Sequence, residues 1–212
     1  MKVKSCPNLN LVVPLVLMFL VLAITAHFIP YFSFDLYLTQ KIQMVNNSWF
    51  HSVMWLISLP GNTNVLPLTL SVVLAVLLLI KHRLGIITSL IGLSIAVSAS
   101  AMIKILVHRF RPDASLVINY DQLNDMSFPS SHALSYTLIL GFLIYLTQKE
   151  VKNHWLQKLL TIVFLILIIL VGISRIYLGV HWFSDVVGGY LLGAISLHFT
   201  ICLYRHFKLH SI

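Results

Sequence analysis

The sequence predicts an all-α integral membrane protein with six transmembrane helices. Of its 212 residues, 58% are hydrophobic and only 9% are charged, and the mean hydropathy is +0.92. A soluble domain carries about a quarter charged residues. The apolar residues also occur in long runs bounded by basic clusters, which is the pattern of repeated membrane spans. We therefore expect one membrane-embedded domain over residues 1–212.

Six apolar runs are long enough to be spans, because a helix needs ~20 mostly apolar residues to cross the hydrocarbon core. Between the first two runs, residues 31–62 mix polar and apolar side chains and include Trp49 and Trp55. Tryptophan favours the membrane interface, so this stretch predicts short interfacial helices, with an ordinary ordered loop as the alternative. The predicted spans are residues 11–30, 64–80, 86–107, 132–148, 159–174 and 184–204.

The distribution of basic residues predicts the orientation. The formal net charge is +8, but the charges lie between the apolar runs, which favours membrane surfaces over nucleic acid as their partner. A cytoplasmic N-terminus puts nine of the fourteen Lys and Arg residues on the inner side and predicts that both termini are cytoplasmic. Five basic residues fall on the outer side against this bias, and topology does not explain them. They are Lys41, Lys104, Arg109, Arg111 and Arg175.

Lys104 and Arg111 belong to the first of three polar stretches on the predicted outer side. They are seven residues apart, which is two helical turns, so they share a helix face and lie about 10 Å apart along the axis if the helix continues. Arg111 offers a planar fork of donors for phosphate oxygens, and Lys104 supplies a mobile charge. The alternative is that both side chains only reach toward the interface.

Ser130, Ser131 and His132 open the predicted fourth span directly after Pro129. The unpaired N–H groups at a helix start form an anion site, and the hydroxyl groups point toward the same outer space. Ser130 equally suits the N-cap position, and the two roles are compatible. This stretch therefore predicts a second group of anion-binding atoms on the outer side.

His181 and Asp185 form the third stretch together with Arg175. They are four residues apart, so on a helix the carboxylate accepts the N–H of one imidazole nitrogen and leaves the other as a nucleophile. The carboxylate also stabilises the cationic imidazole. A purely structural pair is disfavoured, because an Asp, Lys or Arg at the centre of a span costs ~2.5–3.5 kcal/mol.

These stretches resemble the signatures of the type 2 phosphatidic acid phosphatase superfamily, which read K-x6-R-P, P-S-G-H and S-R-x5-H-x3-D. In this chain they are Lys104 to Pro112, Pro129 to His132, and Ser174 to Asp185. Their order and their positions at span ends are similar to those of the bacterial six-helix members. One departure is Ser131, where the family has glycine. Its backbone amide can still face a phosphate at ordinary angles, because only a positive φ favours glycine.

The resemblance implies hydrolysis of a lipid phosphate without metal or cofactor. His181 attacks phosphorus to form a phosphohistidine, Asp185 orients His181, and His132 protonates the leaving oxygen before water hydrolyses the intermediate. The expected partners are a lipid phosphate substrate and the bilayer, and no nucleic acid. The implied phosphate-binding residues are Lys104, Arg111, Ser130, Ser131 and Arg175.

The expected substrate is a polyprenyl pyrophosphate, phosphatidylglycerol phosphate, phosphatidic acid or diacylglycerol pyrophosphate, with a preference for the first two. The site is expected to face the extracellular or periplasmic side of the cytoplasmic membrane. Three alternatives remain. A phosphotransferase uses the same intermediate, and an anion transporter uses the outer basic cluster. A metal site at His132, His181 and Asp185 is disfavoured by the three nearby cations.

Overall fold

The structure, a computed structural model, describes residues 9–62, 82–121, 123 and 125–210. Over these residues the chain forms α-helices and one 3₁₀ turn, with no strand, which confirms the all-α prediction. The helices are α1 Leu9–Phe28, α2 Ser33–Gln43, α3 Ser48–Ser58, α4 Arg83–Val107, α5 Ser131–Glu150, α6 His154–Tyr177 and α7 Phe183–His210, and the 3₁₀ turn Leu59–Gly61 follows α3.

Helices α1, α4, α5, α6 and α7 coincide with five of the predicted spans, and the predicted span 64–80 lies outside the described residues. By length and composition, α4, α6 and α7 are apolar enough to cross a membrane. A fourth span is added if α1 and α2, which are bent by 89° relative to each other, count as one broken span. Helices able to cross a membrane are therefore present, and the number six stays a prediction.

Helix α5 is packed against α7 at the centre of the bundle. Leu134, Leu138 and Phe142 are almost completely buried on it. A Cβ atom added to Gly189 of α7 would lie 2.5 Å from the carbonyl oxygen of Ser130, so the two backbones touch at a distance that only glycine permits. This close packing brings the start of α5 next to the start of α7.

Helices α2 and α3 fill the stretch that was predicted to hold short helices, so the alternative of an ordinary loop is wrong. Gln43 at the end of α2 donates from Nε2 to the carbonyl oxygens of Ile118, at 2.6 Å, and Tyr177, at 2.9 Å. Trp49 and Trp55 on α3 are 70% and 50% exposed. The bonds of Gln43 hold α2 over the end of α6 and the loop between α4 and α5.

Helix α4 ends earlier than the spacing of its basic residues suggested. His108 adopts the left-handed conformation at φ 51° and donates its backbone N–H to the carbonyl oxygen of Lys104, which is a C-cap. Arg111 therefore lies beyond the helix. The prediction that Lys104 and Arg111 share one helix face is wrong, because the helix stops four residues before Arg111.

Candidate active site

The eight predicted site residues lie at helix ends on one side of the bundle. Lys104 and Arg175 are in the last turns of α4 and α6, Ser131 begins α5, and Asp185 is in the first turn of α7. These ends meet because neighbouring helices run in opposite directions. His132 follows Ser131 in the first turn of α5, and the remaining three residues, which lie just outside the helix ends, are Arg111, Ser130 and His181.

Lys104 and Arg111 converge through a third residue, Asp125, which lies in the loop before α5. The Lys104 Nζ atom lies 3.1 Å from Asp125 Oδ2 and also donates to the carbonyl oxygen of Met126. Arg111 Nη2 donates to Asp125 Oδ1 at 2.5 Å. Partial burial raises the pKa of Asp125, but the charges of Lys104 and Arg111 outweigh it and hold this pKa below its ordinary value. The two cations thus bind one carboxylate.

Arg111 also reaches the loop that carries His181. Its Nη1 atom donates to the carbonyl oxygen of Val180 at 2.5 Å and lies 3.3 Å from His181 Nε2. One guanidinium therefore spans the Asp125 carboxylate and the imidazole. An anion bound by Arg111 would lie beside His181 Nε2.

His181 is 2% exposed and lies in the short loop between α6 and α7. Its Nδ1 atom is 3.6 Å from Asp185 Oδ2, which is close but longer than a hydrogen bond. Burial, followed by the charges of Arg111, Arg175 and Lys104, lowers the pKa of His181 well below its usual range. The imidazole is therefore neutral at pH 7, as a nitrogen nucleophile must be.

Asp185 is completely buried and holds two further partners. Its Oδ2 atom accepts the backbone N–H of Trp182 at 2.9 Å, and its Oδ1 atom accepts Nη1–H of Arg109 at 2.6 Å. The predicted pairing with His181 is therefore present only as a close approach, because helix α7 begins at Phe183 and His181 precedes it. Asp185 orients the loop as well as facing the imidazole.

Sequence reasoning missed Arg109, Asp35 and Ser184. Arg109 Nη2 donates to Asp35 Oδ2 at 3.0 Å, and Ser184 donates its backbone N–H to Asp35 Oδ1 at 2.8 Å. All three side chains are buried. The charge distribution had marked Arg109 as a basic residue on the unexpected side. Asp35 was detectable as one of only six acidic residues in a membrane chain, although no sequence spacing connects it with Arg109.

Ser130 and Ser131 stand at the start of α5, as predicted. Ser130 occupies the N-cap position, but its buried Oγ atom makes no hydrogen bond to any described residue, and its backbone N–H donates to the carbonyl oxygen of Asp185 at 3.0 Å. Among the described non-glycine residues only His108 has a positive φ, so Ser131 has ordinary angles. The N-cap interpretation is therefore right about position only, because the Ser130 hydroxyl caps nothing in the described chain.

His132 contacts the segment that follows α3. Its Nε2 atom lies 3.0 Å from Asn62 Oδ1, and because an amide oxygen only accepts, this bond requires a proton on Nε2. A Cβ atom on Gly61 would lie 2.4 Å from His132 Cδ2. Asn62 and Gly61 were not anticipated from the sequence. Together they fix the ring and its protonated nitrogen.

Arg175 is 1% exposed at the end of α6. Its Nη1 atom donates to Ser58 Oγ at 2.5 Å, while its Nε atom has no hydrogen-bond partner among the residues described. Arg175 also lies close enough to His132 and His181 to act on both electrostatically. A buried guanidinium with an unused donor is suited to an anionic ligand.

The arrangement places a neutral imidazole among three cations, with hydroxyl and N–H donors at a helix start. These groups can bind a phosphoryl group and stabilise negative charge that develops on it. Over the described part of the chain, no three His, Cys, Asp or Glu side chains lie close enough to hold a metal ion. His132, His181 and Asp185 are not clustered in the way the alternative metal site required.

The comparison with protein families agrees with the resemblance seen in the three motifs. The model of the PAP2 superfamily matches residues 83–208, which is more than half of the chain. The chain belongs to the PAP2 superfamily. The match includes all eight predicted site residues, and it excludes Asp35, Ser58 and Asn62.

Several curated proteins are similar to this chain. Phosphatidylglycerophosphatase B of Bacillus subtilis is 28% identical over 86% of this chain and 89% of that protein. The bacitracin transport permease protein BcrC of Bacillus licheniformis is 38% identical over 57% of this chain and 56% of that protein. An undecaprenyl-diphosphatase of Sulfolobus acidocaldarius is 32% identical over 58% of this chain and 57% of that protein.

A solved structure has the same fold. The transmembrane PAP2-type phosphatidylglycerolphosphate phosphatase from Bacillus subtilis superposes with a TM-score of 0.78 and 24% sequence identity, over 94% of this chain and 96% of that chain. This similarity extends the family fold to the N-terminal region that contains α2 and α3.

Proposed function

We propose that this protein hydrolyses the terminal phosphate of a membrane lipid phosphate or pyrophosphate through a phosphohistidine at His181. The observation that carries the proposal is the environment of that imidazole. It is buried and neutral, its Nε2 atom lies 3.3 Å from Arg111, and its Nδ1 atom faces Asp185. The family membership of this chain and the names of its phosphatase relatives support a lipid phosphatase.

The reaction has two steps. His181 Nε2 attacks phosphorus while the bond from phosphorus to the lipid oxygen breaks, and His132, starting as the imidazolium, gives its Nε2 proton to that oxygen and becomes neutral. Water then attacks the phosphohistidine, His132 takes a proton from the water, and phosphate leaves His181. Asp185 stabilises the cationic ring between the two steps.

The phosphoryl oxygens would be held by the donors around His181. Arg111 and Lys104 exchange Asp125 for the phosphoryl group, and Arg175 contributes its unused Nε donor. Ser130 Oγ and the N–H groups at the start of α5 complete the set. Positioned donors of this kind are the main catalytic device in phosphoryl transfer, because the transition state spreads charge over the same oxygens.

The preferred substrates are polyprenyl pyrophosphates and phosphatidylglycerol phosphate, in line with the names of two relatives. We also propose that residues 1–212 form one domain of the cytoplasmic membrane, with both termini cytoplasmic and the site on the outer face. The positive-inside bias of the remaining basic residues supports this orientation.

The test is release of inorganic phosphate by purified protein in detergent micelles. The lipids are undecaprenyl pyrophosphate, phosphatidylglycerol phosphate, phosphatidic acid and diacylglycerol pyrophosphate, each with and without a chelator. Wild type should release phosphate in both conditions, His181→Ala should release none above background, and the control His154→Ala, an exposed residue at the start of α6, should match wild type. Equal release by wild type and His181→Ala would show that the mechanism is wrong.

The same assay separates the alternatives. A phosphotransferase would accumulate a phosphorylated lipid alcohol in place of free phosphate when an acceptor is added. The name of the permease relative favours testing transport as well. Anion flux into liposomes that persists in His181→Ala would favour transport, whereas loss of phosphate release in that variant supports hydrolysis.

A further inference from the structure

Three buried charged residues form a chain that ends at the carboxylate beside His181. Arg109 donates from Nη1 to Asp185 at 2.6 Å and from Nη2 to Asp35 at 3.0 Å. All three are at most 2% exposed. Ser184 joins the group, because its Oγ accepts from Arg109 at 2.7 Å and donates to Asp35 at 2.7 Å. The guanidinium is thus shared between two carboxylates from different helices.

Asp35 comes from α2, outside the segment that the family model matches. Its Oδ2 atom also accepts the backbone N–H of Phe32, the N-cap residue of α2, at 3.1 Å, so the start of the helix fixes its conformation. Buried charges are expensive even when paired, and tying α2 to α7 could be done by neutral groups. Gln43 shows this on the same helix, where a neutral amide anchors α2 to the backbone of Ile118 and Tyr177.

The net charge of the buried group explains why residue 35 is a carboxylate and not a neutral side chain. Asp35, Arg109 and Asp185 together carry one net negative charge. With Arg109 and Asp185 alone the net charge would be zero, and the carboxylate beside His181 would be fully neutralised by its own partner. Sharing Arg109 with Asp35 keeps one negative charge available when the imidazole becomes cationic.

We propose that Asp35 and Arg109 are positioning residues for the catalytic reaction, which hold the Asp185 carboxylate in place and set its effective charge toward His181. This inference rests on the proposed function. Asp35 acts through Arg109 and Asp185 and touches neither the phosphate-binding cations nor the imidazole. It should therefore affect the chemical step and leave substrate binding nearly unchanged.

The test compares the pH profiles of kcat for four variants and wild type. Asp35→Asn removes the negative charge with little change in shape. The double variant Asp35→Asn with Arg109→Met removes both charges and restores the net charge of wild type. Gln43→Ala weakens the anchoring of α2 without changing charge, and Asp35→Glu keeps the charge if the amide variant folds poorly.

The proposal predicts that Asp35→Asn lowers kcat by ~10-fold, which corresponds to ~1.4 kcal/mol less stabilisation of the cationic imidazole, with KM changed by less than about twofold. On the acid side of the profile, kcat rises with pH as His181 loses its proton, and we call this rise the acid limb. Loss of the negative charge of Asp35 disfavours the cationic imidazole, so the acid limb should move to lower pH. The double variant and Asp35→Glu should return the limb toward wild type, and Gln43→Ala should not move it.

Groups that face the His181 imidazole from other elements keep their charges in all these variants, so they do not produce the shift. They are Arg111 and Asp125 from the loop after α4, Lys104 from α4, His132 from α5, Arg175 from α6 and Asp185 from α7.

An acid limb that stays in place in Asp35→Asn, with the double variant slower than the single one, would overturn the proposal and leave Asp35 as a structural tie. Failure of the proposed function looks different, because wild type and His181→Ala would then release phosphate equally. Melting temperatures of all variants, measured in the same detergent, separate loss of fold from loss of charge.

Discussion

The guanidinium of Arg109 lies 2.6 Å from the carboxylate of Asp185, and both side chains are buried. The Asp185 carboxylate therefore contacts a cation through Oδ1, while its Oδ2 atom faces the His181 imidazole. Arg109 lies between Lys104 and Arg111 in the sequence, but its side chain contacts Asp35, Ser184 and Asp185. Its partners are acidic residues, so its role differs from that of its neighbours.

Replacing Arg109 should therefore damage stability as well as activity. Arg109→Met leaves Asp35 and Asp185 buried without their shared cation, and breaking a buried pair in this way costs about 3–5 kcal/mol. We expect the melting temperature in detergent to fall by several degrees and phosphate release to be largely lost. Arg83→Met, at an exposed position on α4, is the matched control and should behave as wild type. Equal stability of the two variants would contradict the assignment.

Asp125 should compete with phosphate for Lys104 and Arg111. Its side chain is 58% exposed, and an exposed ion pair contributes at most about 1 kcal/mol, so Asp125→Asn should tighten binding by up to ~5-fold. Inorganic phosphate should inhibit the variant at correspondingly lower concentration, and KM should fall in the same proportion.

The control for this variant is Asp113→Asn in the same loop, since Asp113 bonds to Ser115 and contacts neither Lys104 nor Arg111 in the bonds described. It should leave phosphate inhibition unchanged. Weaker phosphate inhibition in Asp125→Asn would mean that Asp125 instead holds the two cations in position.

The pH dependence of activity should reflect the buried imidazole. Because His181 must be neutral to attack and its pKa is depressed by burial and by Arg111, activity should persist below the usual histidine pKa of about 6.5. Activity should then fall at lower pH as the ring is protonated. The measurement is the profile of kcat/KM against pH with phosphatidic acid as the substrate, in which the fall on the acid side reports protonation of His181. A fall in kcat/KM that already begins above pH 7 on the acid side would contradict this prediction.

The same group contributes to stability with a definite sign. The unfolded chain binds a proton at His181 near pH 6.5, whereas the folded chain does not, so stability falls as the pH drops below that value. As the pH drops below about 6.5, the free energy of unfolding of His181→Ala should therefore fall less than that of wild type, as measured by thermal or denaturant unfolding at several pH values.

Gly61 should be essential to the position of His132. A Cβ atom at Gly61 would lie 2.4 Å from His132 Cδ2, so Gly61→Ala must displace the ring or the turn that follows α3. We expect kcat to fall at least ~10-fold, since a 1 Å misplacement can cost more than that. Gly141→Ala is the control, because its added Cβ would meet only the flexible end of Leu197. Normal kcat in Gly61→Ala would show that His132 tolerates displacement.

The sequence alone was sufficient for the fold class, the family and the identity of the residues that meet at the helix ends. Long apolar runs predict helices, and fixed spacings such as that of His181 and Asp185 identify motifs. Spacing could not predict that α4 ends at Val107, because the left-handed turn at His108 interrupts an otherwise helical pattern. Spacing also could not reveal Asp35 or Asn62. Asp35 contacts Arg109, which follows it by 74 residues, and Asn62 contacts His132, which follows it by 70.

The chain order of the buried charges also matters for synthesis. Asp35 precedes Arg109 by 74 residues, and Asp185 follows Arg109 by 76. A nascent chain that has just completed α4 already contains an acceptor for the Arg109 guanidinium, before the ribosome has synthesised Asp185. Asp35 is therefore available to pair with Arg109 earlier in synthesis than Asp185 is.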